Sequence, residues 1–190
     1  MSKKPRPGRL RIVAGKWRSR LLDVADVPGL RPTSERIRET LFNWLAPSLP
    51  GARCLDLFAG TGALGLEALS RGAGKVVFVE KSPQAARALE TNAKLLDAID
   101  ADIRQGDAFD FLKKTTGQSF NIIFLDPPFA DDLLGDLCRL LDGGALLEDG
   151  ALIYLEEDRA KPVVELPPEW VRLKSKSAGN VRYSLAQIGG

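Results

Sequence analysis

The chain has 190 residues, 44% of them hydrophobic and 27% charged, with a net charge of +2. That balance fits one ordinary globular domain with a substantial core and excludes a chain too polar to fold. With no histidine, Ser-His and Cys-His catalysis and His-ligated metal sites are excluded, so the chemistry falls to carboxylates, backbone, aromatics or a cofactor.

Cys54 and Cys138 stand far apart and in no paired motif, which suits reduced core residues of a cytoplasmic protein. The opening MSKKPRPGRL is basic but lacks the apolar run of a signal peptide. No window approaches the length that spans a bilayer.

The charge is unevenly spread. Up to residue 20 there are 8 bases (Lys3, Lys4, Arg6, Arg9, Arg11, Lys16, Arg18 and Arg20) and no acid, leaving 19 bases against 25 acids in the rest. A basic arm on an acidic body suits a polyanion-binding protein. Lys3 to Pro7 read as a solvated tail. Residues 9–24, RLRIVAGKWRSRLLDV, alternate as a β-hairpin turning near Ala14-Gly15. Leu10, Ile12, Trp17, Ser19 and Leu21 form its apolar face. Arg9, Arg11, Arg18 and Arg20 form an arginine face with no acid opposite, suited to nucleic acid; Trp17 is a packing residue.

After a loop at Gly29 and Pro32, Thr33 or Ser34 can cap a helix whose stripe is Ile37, Leu41, Trp44 and Leu45. Pro47 and Pro50 end it. Strand and helix then alternate. Strands are expected over 53–58, 75–80, 101–106, 120–126 and 151–156, and helices over 63–71, 83–97, 108–113 and 131–141. Two closing strands, 170–176 and 181–188, flank Ser177 to Asn180 as an antiparallel hairpin. The expectation is α/β: a doubly wound, mostly parallel seven-stranded sheet with helices on both faces. Residues 1–30 form an N-terminal extension and residues 31–190 the main domain.

Ligands of such sheets sit at the carboxyl ends of the strands, where strand order reverses. The first strand ends at Asp56 and enters Gly60-x-Gly62-x-x-Gly65. The second ends at Glu80, where a carboxylate can accept from both hydroxyls of a ribose. The third runs into Asp107 and Ala108, and the fourth into Asp126. A dinucleotide's pyrophosphate would be repelled by these acids, whereas the ribose, amine and sulfonium of S-adenosylmethionine suit them.

LDLFAGTGALGLEALSRGA with DPPF resembles the class I S-adenosylmethionine-dependent methyltransferases that modify exocyclic amines. RIVAGKWRSR, GLRPTSERIRETLFNWL and the terminal AGNVRYSL are similar to the bacterial 16S ribosomal RNA guanine-N2 methyltransferases, from about Leu10 to Leu185. The resemblance implies a Rossmann-like fold and S-adenosyl-L-methionine as cofactor. It places Asp56, Phe58, Ala59, Gly60, Thr61, Gly62, Glu80, Lys81, Asp107 and Ala108 around that cofactor. Thr33, Arg36 and Arg38 would stand near the entrance. Arg9, Arg11, Lys16, Arg18, Arg20, Arg31, Arg36 and Arg38 are the candidate RNA contacts.

Asp126, Pro127, Pro128 and Phe129 would form the catalytic loop. An aromatic amine is a poor nucleophile because its lone pair is delocalised. Acceptors on Asp126 and the Pro127 carbonyl can free it, and Phe129 can stack on the base. The loop has no cysteine, which argues against methylation at a pyrimidine carbon. The implied partner is 16S rRNA in the small ribosomal subunit or an assembly intermediate, with no membrane and no metal, and the chain acting as a monomer. The alternatives are an adenine-N6 DNA methyltransferase, an NAD-dependent oxidoreductase and a catalytically silent RNA-binding assembly protein.

Overall fold

The computed structural model describes residues 8–30 and 32–189. The Lys3 to Pro7 tail and Arg31 lie outside the described residues.

The chain opens with an antiparallel pair, β1 (Arg9–Arg11) and β2 (Leu21–Asp23), with Leu10 opposite Leu22. Leu10 and Ile12 are buried, as the alternation predicts. On the return, Leu22 and Val24 are buried and Leu21 is 49% exposed. The expected register is therefore off by one residue, which exchanges the two faces. The cause is the segment between the strands. It turns rather than extends, with Ser19 at a φ of 67° and the Lys16 amide bonded to the Ser70 carbonyl at 2.8 Å.

Five helices follow: α1 (Glu35–Leu45), α2 (Ala63–Ser70), α3 (Pro83–Leu95), α4 (Ala108–Lys114) and α5 (Leu134–Asp142). Ser34 caps α1 by accepting from the Ile37 amide at 3.3 Å. Residue 131, the expected start of the last helix, belongs instead to a 3₁₀ turn over Phe129–Asp131. Asp132 then takes a left-handed φ of 50° before α5 begins.

The strands are β3 (Arg53–Asp56), β4 (Lys75–Glu80), β5 (Ala101–Gln105), β6 (Phe120–Leu125), β7 (Leu147–Asp158), β8 (Trp170–Ala178) and β9 (Val181–Ile188). They form one seven-stranded sheet in the order β5-β4-β3-β6-β7-β9-β8. It is parallel from β5 to β7 and antiparallel where β9 joins β7 and β8. The chain runs outward from β3 to β5, then returns to the other side of β3 as β6. Strand order therefore reverses between β3 and β6, and the crevice that a doubly wound sheet offers a ligand opens there. Leu10, Leu22, Leu41, Leu66 and Leu89 pack one face of the sheet, with the hairpin, α1, α2 and α3. Leu112, Leu137, Cys138 and Leu141 from α4 and α5 pack the other.

Glu67 of α2 is fully buried and ties the hairpin to the body. Its carboxylate accepts from the amides of Val13 and Ala14, both at 2.9 Å. It also accepts from Arg38 Nη1 at 2.9 Å and Arg71 Nε at 2.7 Å. Arg38 is only 1% exposed. This corrects its place among the candidate RNA contacts: its guanidinium is consumed by Glu67 and by the carbonyls of Arg11 and Thr33. The signal was the width of the apolar face. Phe42 is buried with Ile37, Leu41 and Leu45, and Arg38 lies one turn before Phe42 on that side.

Candidate active site

The crevice between the carboxyl ends of β3 and β6 is a cleft of about 1230 Å³. Ligand pockets run to about 300–1,000 Å³, so there is room for a cofactor and a second molecule.

The glycine turn explains its own sequence. Gly62 begins α2 in the left-handed region with φ 78°, and a Cβ there would come within 2.4 Å of Leu89 Cδ1. At Gly65 the helix lies so close to the sheet that a Cβ would meet Phe78 Cε1 at 2.1 Å. Asp56, 2% exposed, accepts from the Gly65 amide at 3.0 Å. Burial raises the Asp56 carboxyl to about 7, opposed by that amide and reinforced by Asp126 and Glu80.

Glu80 ends β4 and spans the turn. Its two oxygens accept from the amides of Gly60 and Ser82, each at 2.7 Å. Asp107 caps α4 by accepting from the Phe109 amide at 2.9 Å. Partial burial pushes its carboxyl up, but the Asp110 and Phe109 amides and Lys81 outweigh this and leave it below its ordinary value. Lys81 lies 3.2 Å from Asp107 with its side chain 81% exposed.

Asp56, Phe58, Ala59, Gly60, Thr61, Glu80, Lys81, Asp107 and Ala108 all line this cleft, as do Asp126 to Phe129. Gly62 does not line it; its part is to shape the turn. The lining fits a ligand with hydroxyls and positive charge. Asp56, Glu80, Asp107 and Asp126 surround the space, and among the described lining residues the cation, Lys81, is already paired.

Asp126 follows β6 directly. Its Oδ2 accepts from Thr33 Oγ1 at 3.3 Å. Burial raises its carboxyl to about 6, and the hydrogen bonds from Thr33 and Glu156 oppose the shift. Pro127 is buried while Pro128 is exposed and Phe129 half-buried. Lys161 Nζ donates to the Phe129 carbonyl and sits 3.7 Å from Asp132, so the loop is pinned from behind as well as stiffened by its prolines.

Sequence reasoning missed two residues here. Nothing in the sequence marks Lys161. Glu156 had a signal, because the fifth expected strand ends on it as the others end on their acids. It lines the cleft beside Asp126 and is 4% exposed. Ala178 to Val181, the tip of the β8–β9 hairpin, also border the cleft.

The candidate RNA contacts are spread over the hairpin and α1. The arginine face does meet acids: Arg9 lies 3.9 Å from Asp23 and Arg11 3.6 Å from Glu35. Lys16 Nζ sits 4.3 Å over the Trp17 ring. Arg20 donates to the Leu95 carbonyl at 3.3 Å, and Arg18 and Arg36 are exposed.

A family model described as conserved hypothetical protein 95 matches residues 10–187. The ribosomal RNA small subunit methyltransferase D of Escherichia coli K12 is 46% identical over 180 residues, covering 95% of this chain and 90% of the relative. The chain belongs to this methyltransferase family. The Haemophilus influenzae relative of the same name is 44% identical, over 95% and 94% of the two chains. The solved structure of Escherichia coli yhhF superposes with a TM-score of 0.89 at 43% identity, covering 96% of this chain and 99% of that one. Cleft, strand order and family agree on a Rossmann-like methyltransferase. Among the described residues no helix is long and apolar enough to cross a membrane.

Proposed function

We propose that this chain transfers a methyl group from S-adenosyl-L-methionine to the exocyclic N2 amine of a guanine in 16S rRNA of the small ribosomal subunit. The observation that carries the reading is the pairing of an acid-lined cofactor cleft with the Asp126-Pro127-Pro128-Phe129 loop at the same strand switch point. Relatives named for small-subunit rRNA methylation cover nearly the whole chain, which favours rRNA over DNA. The oxidoreductase reading would place a pyrophosphate among these carboxylates, which like charge opposes.

When bound, S-adenosylmethionine supplies an electrophilic methyl on a sulfonium. Glu80 faces the ribose hydroxyls while holding the Gly60 and Ser82 amides. Asp107 and Ala108 border the adenine. Asp126 and the Pro127 carbonyl would accept hydrogen bonds from the two amine N–H groups and turn the nitrogen lone pair toward the methyl, so that an N–C bond could form as the S–C bond breaks. Phe129 stacks on the base. Holding the reactants in line supplies much of the acceleration. No strong base is required, because the methylated amine is acidic and sheds its proton afterwards.

The hairpin of residues 9–24, docked through Glu67, presents Arg18 and Arg20 to the RNA phosphates. It acts as an extension of the methyltransferase domain, and the protein works as a cytoplasmic monomer. The test is transfer of tritiated methyl to small subunits lacking the modification, with naked 16S RNA and duplex DNA alongside. N2-methylguanosine from the subunits is expected. N6-methyladenine from DNA would overturn the substrate, and bound cofactor without transfer to any of the three would overturn the activity.

A further inference from the structure

The protein buries Glu67, Glu156 and Glu157, and their surroundings differ. Glu67 is held by Arg38 and Arg71. Glu157 is held by Arg172 at 3.2 Å and Arg182 at 3.7 Å. Among the described residues no lysine or arginine pairs with Glu156. It faces another carboxyl instead. Strands β6 and β7 run parallel with Leu125 beside Leu155, so the next residues, Asp126 and Glu156, are neighbours across the strand gap of about 4.8 Å. Both line the cleft, and the nearby Asp126 carboxylate disfavours a second charge on Glu156. Two carboxyls this close bond each other only when one proton lies between them, because two carboxylates offer acceptors and no donor.

Among the described residues no cation offsets the burial of Glu156, and the Tyr154 hydroxyl, which favours the ionised form, does not outweigh that burial. Tyr154, fully buried on the same strand, donates its hydroxyl to Glu156 Oε1 at 2.6 Å. Tyr183 of β9 lies in register with Glu156, and Thr33 donates to the neighbouring Asp126 at 3.3 Å. None of these groups is cationic. Burial raises Glu156 to about 8, reinforced by the nearby Asp126 charge, while Asp126 rises only to about 6. At neutral pH the proton therefore stays on Glu156.

We propose that Glu156 is a positioning residue for Asp126: a carboxylic acid that donates its proton to one Asp126 oxygen and leaves the other aimed at the substrate amine. This rests on the exocyclic-amine reading above. A lone aspartate after a strand has free rotation at its first side-chain torsion. One held by Thr33 and Glu156 presents a fixed acceptor, the condition for reshaping a nitrogen rather than merely binding it.

Glu156→Gln keeps a donor for Asp126 and an acceptor for Tyr154; Glu156→Ala keeps neither. At pH 7 kcat of the Gln variant is expected within about threefold of wild type, and that of the Ala variant lower by roughly 10- to 100-fold, the scale of a hydrogen bond to a charged group. The cofactor Kd should hold in both. Wild-type kcat should fall as pH rises through about 8, where Glu156 ionises, and the Gln variant should stay level. An independent readout is the wild-type minus Glu156→Gln infrared difference spectrum at pH 7, which should show a protonated-carboxyl carbonyl stretch beyond the share Asp56 gives both proteins. A Gln variant as impaired as Ala, superimposable pH profiles, or no such band would each overturn the proposal. A product other than N2-methylguanosine would overturn the functional reading instead, and the infrared band would still decide the state of Glu156.

Discussion

Thr33 and Asp126 are 93 residues apart in the chain and joined by a 3.3 Å hydrogen bond. The bond links the segment before α1 to the loop after β6, so the RPTSER block belongs to the same constellation as DPPF. Thr33 also holds the Asp126 carboxyl down against the upward push of burial. Thr33→Val should lower kcat about fivefold at pH 7, the worth of one ordinary hydrogen bond. It should also move the acid limb of the rate profile to higher pH. Thr33→Ser should restore both. An unmoved acid limb in the valine variant would show that the contact is not made during turnover.

Removing Asp126 itself is a larger change. In the proposed mechanism Asp126→Ala deletes the acceptor for the amine, and the rate should fall by roughly 10²–10³, the scale for one well-placed polar group. Cofactor affinity, measured by calorimetry, should be nearly unchanged. A large loss of affinity would move Asp126 from the substrate side of the cleft to the cofactor side.

Glu80→Ala should show the opposite split. In the proposed reading the carboxylate would face the ribose, and it also holds the Gly60 and Ser82 amides, so its loss would remove contacts and loosen the turn. The cofactor Kd should rise roughly 10- to 100-fold, with a smaller change in kcat at saturation. An unchanged Kd would sink this role.

The arginines that the sequence offers as RNA contacts should separate by assay. Arg38→Ala leaves Glu67 buried and half-compensated, and breaking such a pair costs about 3–5 kcal/mol. The melting temperature should drop sharply. Charge reversal at Arg18 and Arg20 should leave folding nearly intact and weaken RNA binding. The slope of log affinity against log salt should flatten by roughly one or two. If Arg18 and Arg20 variants bind RNA as wild type does, the hairpin is only structural.

The contrast between these arginines shows what the sequence could carry. The sheet was legible because buried parallel strands read as apolar runs, each punctuated by an acid at its end. The site was legible for the same reason: Asp56, Glu80, Asp107 and Asp126 mark strand ends, and topology converts strand ends into one cleft. Arg38 was marked only by the width of the apolar face of α1, because its burial depends on Glu67 from another helix. The hairpin's return strand failed because its register is set by how residues 13–20 dock on Ser70 and Glu67. Glu156 was readable as a fifth strand end. The role proposed for it rests on its lying next to Asp126, a consequence of strand pairing, with no cation paired to it among the described residues.

Asp56 offers a test of the cleft's electrostatics without any ligand. Its folded carboxyl sits at about 7 against an ordinary 3.8, so the folded state binds a proton more tightly than the unfolded chain does. A raised acid contributes stability that is fully present below its unfolded pKa and lost as pH rises through the folded one. Wild-type protein should therefore lose stability between about pH 4 and pH 8, opposite to a salt-bridged aspartate. Asp56→Asn keeps an oxygen to accept from Gly65 and cannot ionise. Relative to wild type, its melting temperature should rise steadily over that window, read by thermal unfolding at pH 5 and pH 8. Burial is the main cause of the rise, with Asp126 and Glu80 adding to it, so the drift measures chiefly the cost of placing a charge at this buried strand end. Parallel curves for the two proteins would mean that Asp56 is ionised throughout and that the cleft is more hydrated than its burial implies.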